Sequence, residues 1–217
     1  MSPSQPPPRS PSSPSSPPPT GGLMENLAGT IDIMLGRASG KSRIDLSANG
    51  IVLSFAGLVL AGLVDISALS ILYNGQAAPE VSKTYFIFGH LMVALIGYAT
   101  SFVALYLLCR APSEQRNFFS AIAIHNWASP IVSVAFLPLI IIATVLGAPN
   151  DPASENDLLT VISVFWIGIL IFVGIRLLRI SLDIYTGKAV VYFVITTAVS
   201  LVTTEGLEAM LGLARPS

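Results

Sequence analysis

Gly50–Tyr73 reads GIVLSFAGLVLAGLVDISALSILY, an apolar run broken by one charge, Asp65. A helix needs about 20 apolar residues to cross the hydrocarbon of a bilayer, so this stretch predicts a membrane span. Four more follow. Tyr85–Cys109 holds His90 as its only ionisable group besides the cysteine and tyrosines, and Phe118–Ala148 has no Asp, Glu, Lys or Arg. Leu158–Leu182 is uncharged as far as Ile175, and Ala189–Leu213 is clean to Thr204 before it meets Glu205 and Glu208. The fold class expected is all-α, a polytopic transmembrane bundle of about five spans.

Composition supports this. The chain has 217 residues, of which 53% are hydrophobic and 11% charged, against about 25% charged in ordinary soluble domains. So small a charged surface cannot cover so apolar an interior, and the chain must face lipid. A net charge of −1 argues against a nucleic-acid partner. With one cysteine, Cys109, no intrachain disulfide can form.

Charge in the connections gives direction. Arg9, Arg37, Lys41, Arg43, Arg110, Arg116, Arg176, Arg179 and Lys188 fall at one end of the expected spans, and only Lys83 and Arg215 at the other. The loop Asn150–Asp157 holds three acids and no base. The positive-inside rule then predicts a cytoplasmic N-terminus and, with an odd number of spans, a C-terminus outside.

Residues 1–22 contain a Ser/Pro-rich tail with Arg9 and no apolar run. Such a segment buries too little surface to offset its chain entropy and is expected to be disordered, a tether more than a ligand for a polyproline-binding domain. Residues 23–49 form an amphipathic segment and basic linker. Met24, Leu27, Ile31, Met34 and Leu35 recur at helical spacing, followed by Arg37, Lys41 and Arg43. The pattern fits either a helix on the leaflet near anionic headgroups or one packed on the protein's own loops. Asp45-Leu46-Ser47 offers turn and N-cap chemistry at the start of the first span. Residues 50–213 form the bundle.

The third stretch is too long for one upright crossing and contains Pro130 and Pro138, each of which removes a backbone donor. Phe118–Ser129 is expected to start at the interface with the crossing after it; a re-entrant pair is the other arrangement. His125, Asn126 and Trp127 precede Pro130 and form a candidate helix-break motif, with polar side chains to satisfy the carbonyls that proline leaves open. Gly57/Ala61 and Gly97/Ser101 offer close-packing faces.

No hydrolase, kinase or dinucleotide motif is present, and two histidines rule out a His-rich metal site. No catalytic, cofactor-binding or metal-binding residue is assigned, and no cofactor is expected. Asp65, His90, Glu205 and Glu208 remain, all in the half of the bundle away from the basic end. Charge inside a span is costly and faces protein or water, so these four are the candidate polar or proton-binding site. The competing reading ends the fifth span near Thr204 and leaves both glutamates interfacial.

Two stretches resemble the Yip family of five-span membrane proteins with a cytoplasmic N-terminus. Ser120–Leu139, SAIAIHNWASPIVSVAFLPL, is similar to that family's third span, a polar kink followed by proline. Ile162–Val194, ISVFWIGILIFVGIRLLRISLDIYTGKAVVYFV, is similar to its Trp-containing fourth span, the short loop, and the Lys-Ala start of the fifth. The acidic and aromatic motifs through which eukaryotic relatives engage Rab GTPases have no counterpart here. The sequence resembles the bacterial, alphaproteobacterial branch, which implies a multi-pass protein of the bacterial inner membrane without catalytic activity. The function expected is a non-enzymatic scaffold or membrane-organising protein; the alternative is a small-solute or proton-coupled transporter using the outer-half acids. Expected partners are the lipid bilayer and further copies of the chain or other membrane proteins.

Overall fold

The structure is a computed structural model that describes residues 22–74, 81–146 and 157–213. The Ser/Pro tail up to Gly21, Arg9, most of the acidic loop Asn150–Asp157, and Arg215 lie outside the described residues. The described residues form helices without a strand: α1 (Leu23–Met34), a 3-10 turn (Ala38–Arg43), α2 (Ala48–Asn74), α3 (Lys83–Leu108), α4 (Pro112–Leu146), α5 (Asp157–Leu182) and α6 (Thr186–Met210). The last five are long and apolar enough to cross a membrane. The fold is the expected helical bundle.

Helix starts follow local chemistry. The backbone N–H of Ser47 donates to Asp45 Oδ1 (3.0 Å), and that of Gly50 donates to Ser47 Oγ (3.1 Å), the turn and cap expected there. Ser82 caps α3 by accepting from the Tyr85 N–H. α5 ends in a Schellman arrangement, with Asp183 at φ 56° and the Ile184 N–H bonded to the Arg179 carbonyl at 3.1 Å.

The five long helices close a ring in the order α2–α4–α5–α6–α3, with α2 on α4 and α3 on α6 the most extensive interfaces. Small residues set both. A Cβ on Gly57 would lie 2.4 Å from the Asn126 carbonyl oxygen, and one on Gly97 would lie 2.6 Å from the Thr204 methyl. Both expected small-residue faces are therefore contact faces. Near the basic end, Leu105, Cys109, Phe118, Leu178, Leu182 and Tyr192 form one buried cluster. A second joins Ile33 and Ile44 to Ile124, Trp127 and Leu177.

The third span settles one of its two arrangements. α4 is one continuous helix with Pro130 and Pro138 inside it, so it is not a re-entrant pair. Ala121, Ala123, Ile124, Asn126 and Trp127 all have 0% exposure, so Phe118–Ser129 lines the bundle core. The carbonyl that Pro130 leaves without its helical donor, that of Asn126 four residues back, is the atom against which Gly57 packs.

α1 also differs in which side it buries. Asn26, Gly29, Thr30 and Ile33 face inward, while Met24, Ile31 and Leu35 of the expected apolar stripe are exposed. Asn26 goes inside because it has a partner there, and Thr30 satisfies its hydroxyl within the helix. Asn26 Oδ1 accepts from the Asp45 N–H at 2.9 Å, and Thr30 Oγ1 donates to the Asn26 carbonyl at 2.8 Å. Gly29 and Gly40 let the helix and the 3-10 turn touch backbone to backbone. Ile33, fully buried, contributes about 1.5–3 kcal/mol relative to exposure in water. The helix thus packs on its own protein with one edge and presents apolar side chains outward with the other.

Candidate functional site

Polar side chains inside the bundle form three groups between one end and the other. At the basic end, Glu114 in the first turn of α4 is 4% exposed and pairs with Lys188. The Tyr192 hydroxyl lies 2.9 Å from Glu114 Oε2 and 2.7 Å from the Leu108 carbonyl, sharing its one proton between two acceptors. This lock ties α3, α4 and α6 together. Sequence reasoning missed Glu114, although it is an acid placed in a cluster of cations.

At the level of Asn126, the side-chain amide donates to Ser54 Oγ at 2.8 Å, and its oxygen accepts from the Tyr98 hydroxyl at 2.5 Å. One residue of α4 therefore holds α2 and α3. His125 Nδ1 lies 2.9 Å from the Ala121 carbonyl, and Ser129 Oγ donates to the His125 carbonyl at 3.0 Å. Since a carbonyl only accepts, Nδ1 of His125 carries the proton. Trp127 is packed at 0% exposure, and its indole N–H has no acceptor among the described residues. The segment around Pro130 thus acts as an interhelix junction within a continuous helix, and none of its side chains caps the freed Asn126 carbonyl. Beside it, Tyr98, Ser101, His125, Thr196 and Ser200 line a cavity of about 260 Å³.

At the other end, Asp65 of α2, His90 of α3 and Glu208 of α6 line one cleft of about 350 Å³, with Thr204 and apolar side chains between them. Glu205 is exposed on another face of α6 and does not line it. α6 runs unbroken to Met210, so Glu208 is held at its place by a helix that does not stop at Thr204. His90 Nδ1 is 2.8 Å from the Phe86 carbonyl, with the imidazole against the Phe86 ring at 4.2 Å. That fixes the proton on Nδ1 and leaves Nε2 as the acceptor of the neutral ring. The Asp65 and Glu208 carboxylates have no hydrogen-bond or ion-pair partner among the described residues. The three line the cleft without converging as a ligand set, and no metal-holding group occurs among the described residues. The arrangement suits proton exchange or a small cationic or hydrogen-bonding solute.

One helix connects the three groups. Lys188, Tyr192, Thr196, Ser200, Thr204 and Glu208 recur at every fourth position of α6, which is a ridge on a helix, and each is buried or half-buried. Ser101 Oγ reaches the Thr196 carbonyl at 3.4 Å, and Ser200 Oγ donates to the Gly97 carbonyl at 3.2 Å. Periodicity could have shown this ridge, but its serines and threonines blend into a span whose mean hydropathy is high.

Outside the spans, the Asp32 carboxylate accepts from Arg37 (3.0 Å) and Arg43 (2.8 Å), and the Arg43 and Arg37 hydrogen bonds hold it below the usual carboxylate range. Lys41 donates to the Ser181 carbonyl at 3.0 Å and the Ile180 carbonyl at 3.4 Å, capping the C-terminal end of α5. Burial pushes its ammonium down, and Asp183 opposes that in part. No protein-family model, curated protein or solved structure matches this chain.

Proposed function

We propose that this protein is a non-enzymatic, Yip-like scaffold of the bacterial inner membrane that organises lipid or partner proteins around a fixed helical platform, with its N-terminus in the cytoplasm. One observation carries the reading: α1 is joined to the basic end through the Ile33–Trp127–Leu177 cluster and the Asn26–Asp45 bond, yet Met24, Ile31 and Leu35 point outward. A helix fixed on one edge and apolar on the other is suited to hold the membrane surface or a second protein. The interhelix bonds of Asn126 and Glu114 agree with a bundle that keeps one arrangement. Assembly with further copies belongs to the same reading, as does the resemblance of Ser120–Leu139 and Ile162–Val194 to Yip spans.

A second reading is favoured by the Asp65, His90 and Glu208 cleft: proton-coupled uptake of a small solute. One experiment separates the two. The full chain is reconstituted in vesicles with an imposed pH gradient and an entrapped pH dye, and spin labels on α1 and α5 report distance between pH 5 and 8. The platform reading expects proton influx equal to protein-free vesicles and a single distance population. Influx that Asp65→Asn abolishes, together with two distance populations, would overturn it in favour of transport.

A further inference from the structure

We propose that the cleft between the loop after α1 and the last two turns of α5 binds the phosphate of an anionic lipid headgroup in the leaflet at the basic end. The cleft holds about 390 Å³ and is lined by Gly36, Lys41, Arg176, Arg179 and Asp183, among others, so three cations face one carboxylate.

The site is built in detail. Gly36 has φ 88°, and a Cβ there would lie 2.8 Å from the Arg176 guanidinium carbon; a glycine is needed both for the backbone and for the passage of the loop over the arginine. The guanidinium stacks over the Phe172 ring at 4.1 Å and makes one long donation to the Met34 carbonyl at 3.4 Å. Its orientation is fixed while its remaining N–H groups have no partner among the described residues. Arg179 lies one turn on, exposed, and its guanidinium has no ion pair or hydrogen bond among the described residues. Lys41 is held at the wall by the Ile180 and Ser181 carbonyls, which use two of its three donors.

The contrast with the neighbouring arginines is informative. Arg37 and Arg43 share the Asp32 carboxylate, whereas Arg176 and Arg179 form no salt bridge among the described residues. A guanidinium fork with free N–H groups in a cavity matches the geometry of a phosphate. Depth favours a lipid phosphate over one in solution. Arg176 lies six residues inside the end of a membrane-crossing helix, roughly 9 Å from it, where headgroups meet hydrocarbon. Ile180 and Ile184 add apolar wall to the cleft. Basic pockets between spans are known to take such headgroups. The inference rests on the five spans lying in a bilayer and not on the scaffold reading.

The test uses the full chain in a neutral detergent, with thermal unfolding followed as phosphatidylglycerol, phosphatidylcholine or inorganic phosphate is added. Phosphatidylglycerol is expected to raise the unfolding temperature where phosphatidylcholine does not. Arg179→Gln, at an exposed position, is expected to unfold like the wild type without lipid and to need about five-fold more phosphatidylglycerol, the effect of one basic residue near an anionic surface. Asp183→Asn, which keeps a residue tolerant of the left-handed conformation, is expected to need less. Lys83→Gln at the opposite end is expected to match the wild type. Equal responses of Arg179→Gln and wild type, or equal protection by phosphatidylcholine, would overturn the site. Protection by inorganic phosphate equal to that by phosphatidylglycerol would overturn its assignment to lipid.

Discussion

Gly57 and Asn126 meet where α2 packs on α4, four residues before Pro130. The proline leaves the Asn126 carbonyl without its helical donor, and only a residue without a side chain lets the α2 backbone come up to that oxygen. Gly57→Ala places a methyl 2.4 Å from it, so the helices must part. The expected cost is about 1–3 kcal/mol, the range for overpacking a core, seen as a lower unfolding temperature of the purified chain in detergent. Gly62, on the same helix, has nothing within 4 Å of its would-be Cβ, and Gly62→Ala is expected to leave the unfolding temperature unchanged or raise it. Equal effects of the two substitutions would remove Gly57 from this role. The small pair Gly57/Ala61 was readable as a packing face because spacing defines a face. Its partner was not readable, since nothing in one helix names the helix it will meet.

α1 shows the limit of hydrophobic periodicity for a short element. The stripe of Met24, Leu27, Ile31, Met34 and Leu35 locates the helix, but three of the five point outward. Periodicity names the buried face only when the alternative to burial is water, and at a membrane surface lipid is a second option. The inner face is marked by the Asn26 side chain, whose partner is the Asp45 N–H nineteen residues on, beyond any window that defines the helix. The Asp32 pairs give the helix a pH signature. Arg43 and Arg37 hold this carboxyl below its unfolded value, which is about 3.9. A depressed carboxylate contributes stability that is fully present above the unfolded pKa and lost as pH falls through the folded one. Hydrogen exchange of the 23–34 amides should therefore stay flat from pH 8 to 5, once intrinsic rates are divided out, and rise only below about pH 4. Asp32→Asn should exchange faster at neutral pH. A rise with its midpoint above pH 5 would show that another group controls the docking.

For the whole molecule, the number of long apolar helices was legible because lipid imposes length and apolarity on each helix separately. The order of the ring was not, because α2 meets α4 and α3 meets α6 through contacts that skip along the chain. That order is what brings Asp65, His90 and Glu208 to one cleft and leaves Glu205 out; along α6 alone, the two glutamates look equivalent. The charge split concerns the molecule as a whole, since it assigns every loop to a side at once. The native Cys109 thiol is 1% exposed and closed off from reagents, so single cysteines can be added to the natural chain. Lys83 and Met210 are both exposed, and the Tyr85 hydroxyl bonded to the Leu211 carbonyl at 2.8 Å puts their helix ends side by side. Arg43 lies across α2 from Lys83. With the N-terminus in the cytoplasm, a membrane-impermeant maleimide added to spheroplasts should label Lys83→Cys and Met210→Cys and should reach Arg43→Cys only after permeabilisation. The opposite pattern reverses the bundle in the membrane. Labelling of Arg43→Cys and Lys83→Cys from the same side means that α2 does not cross, whereas Met210→Cys protected beside a reactive Lys83→Cys breaks the pairing of α3 with α6.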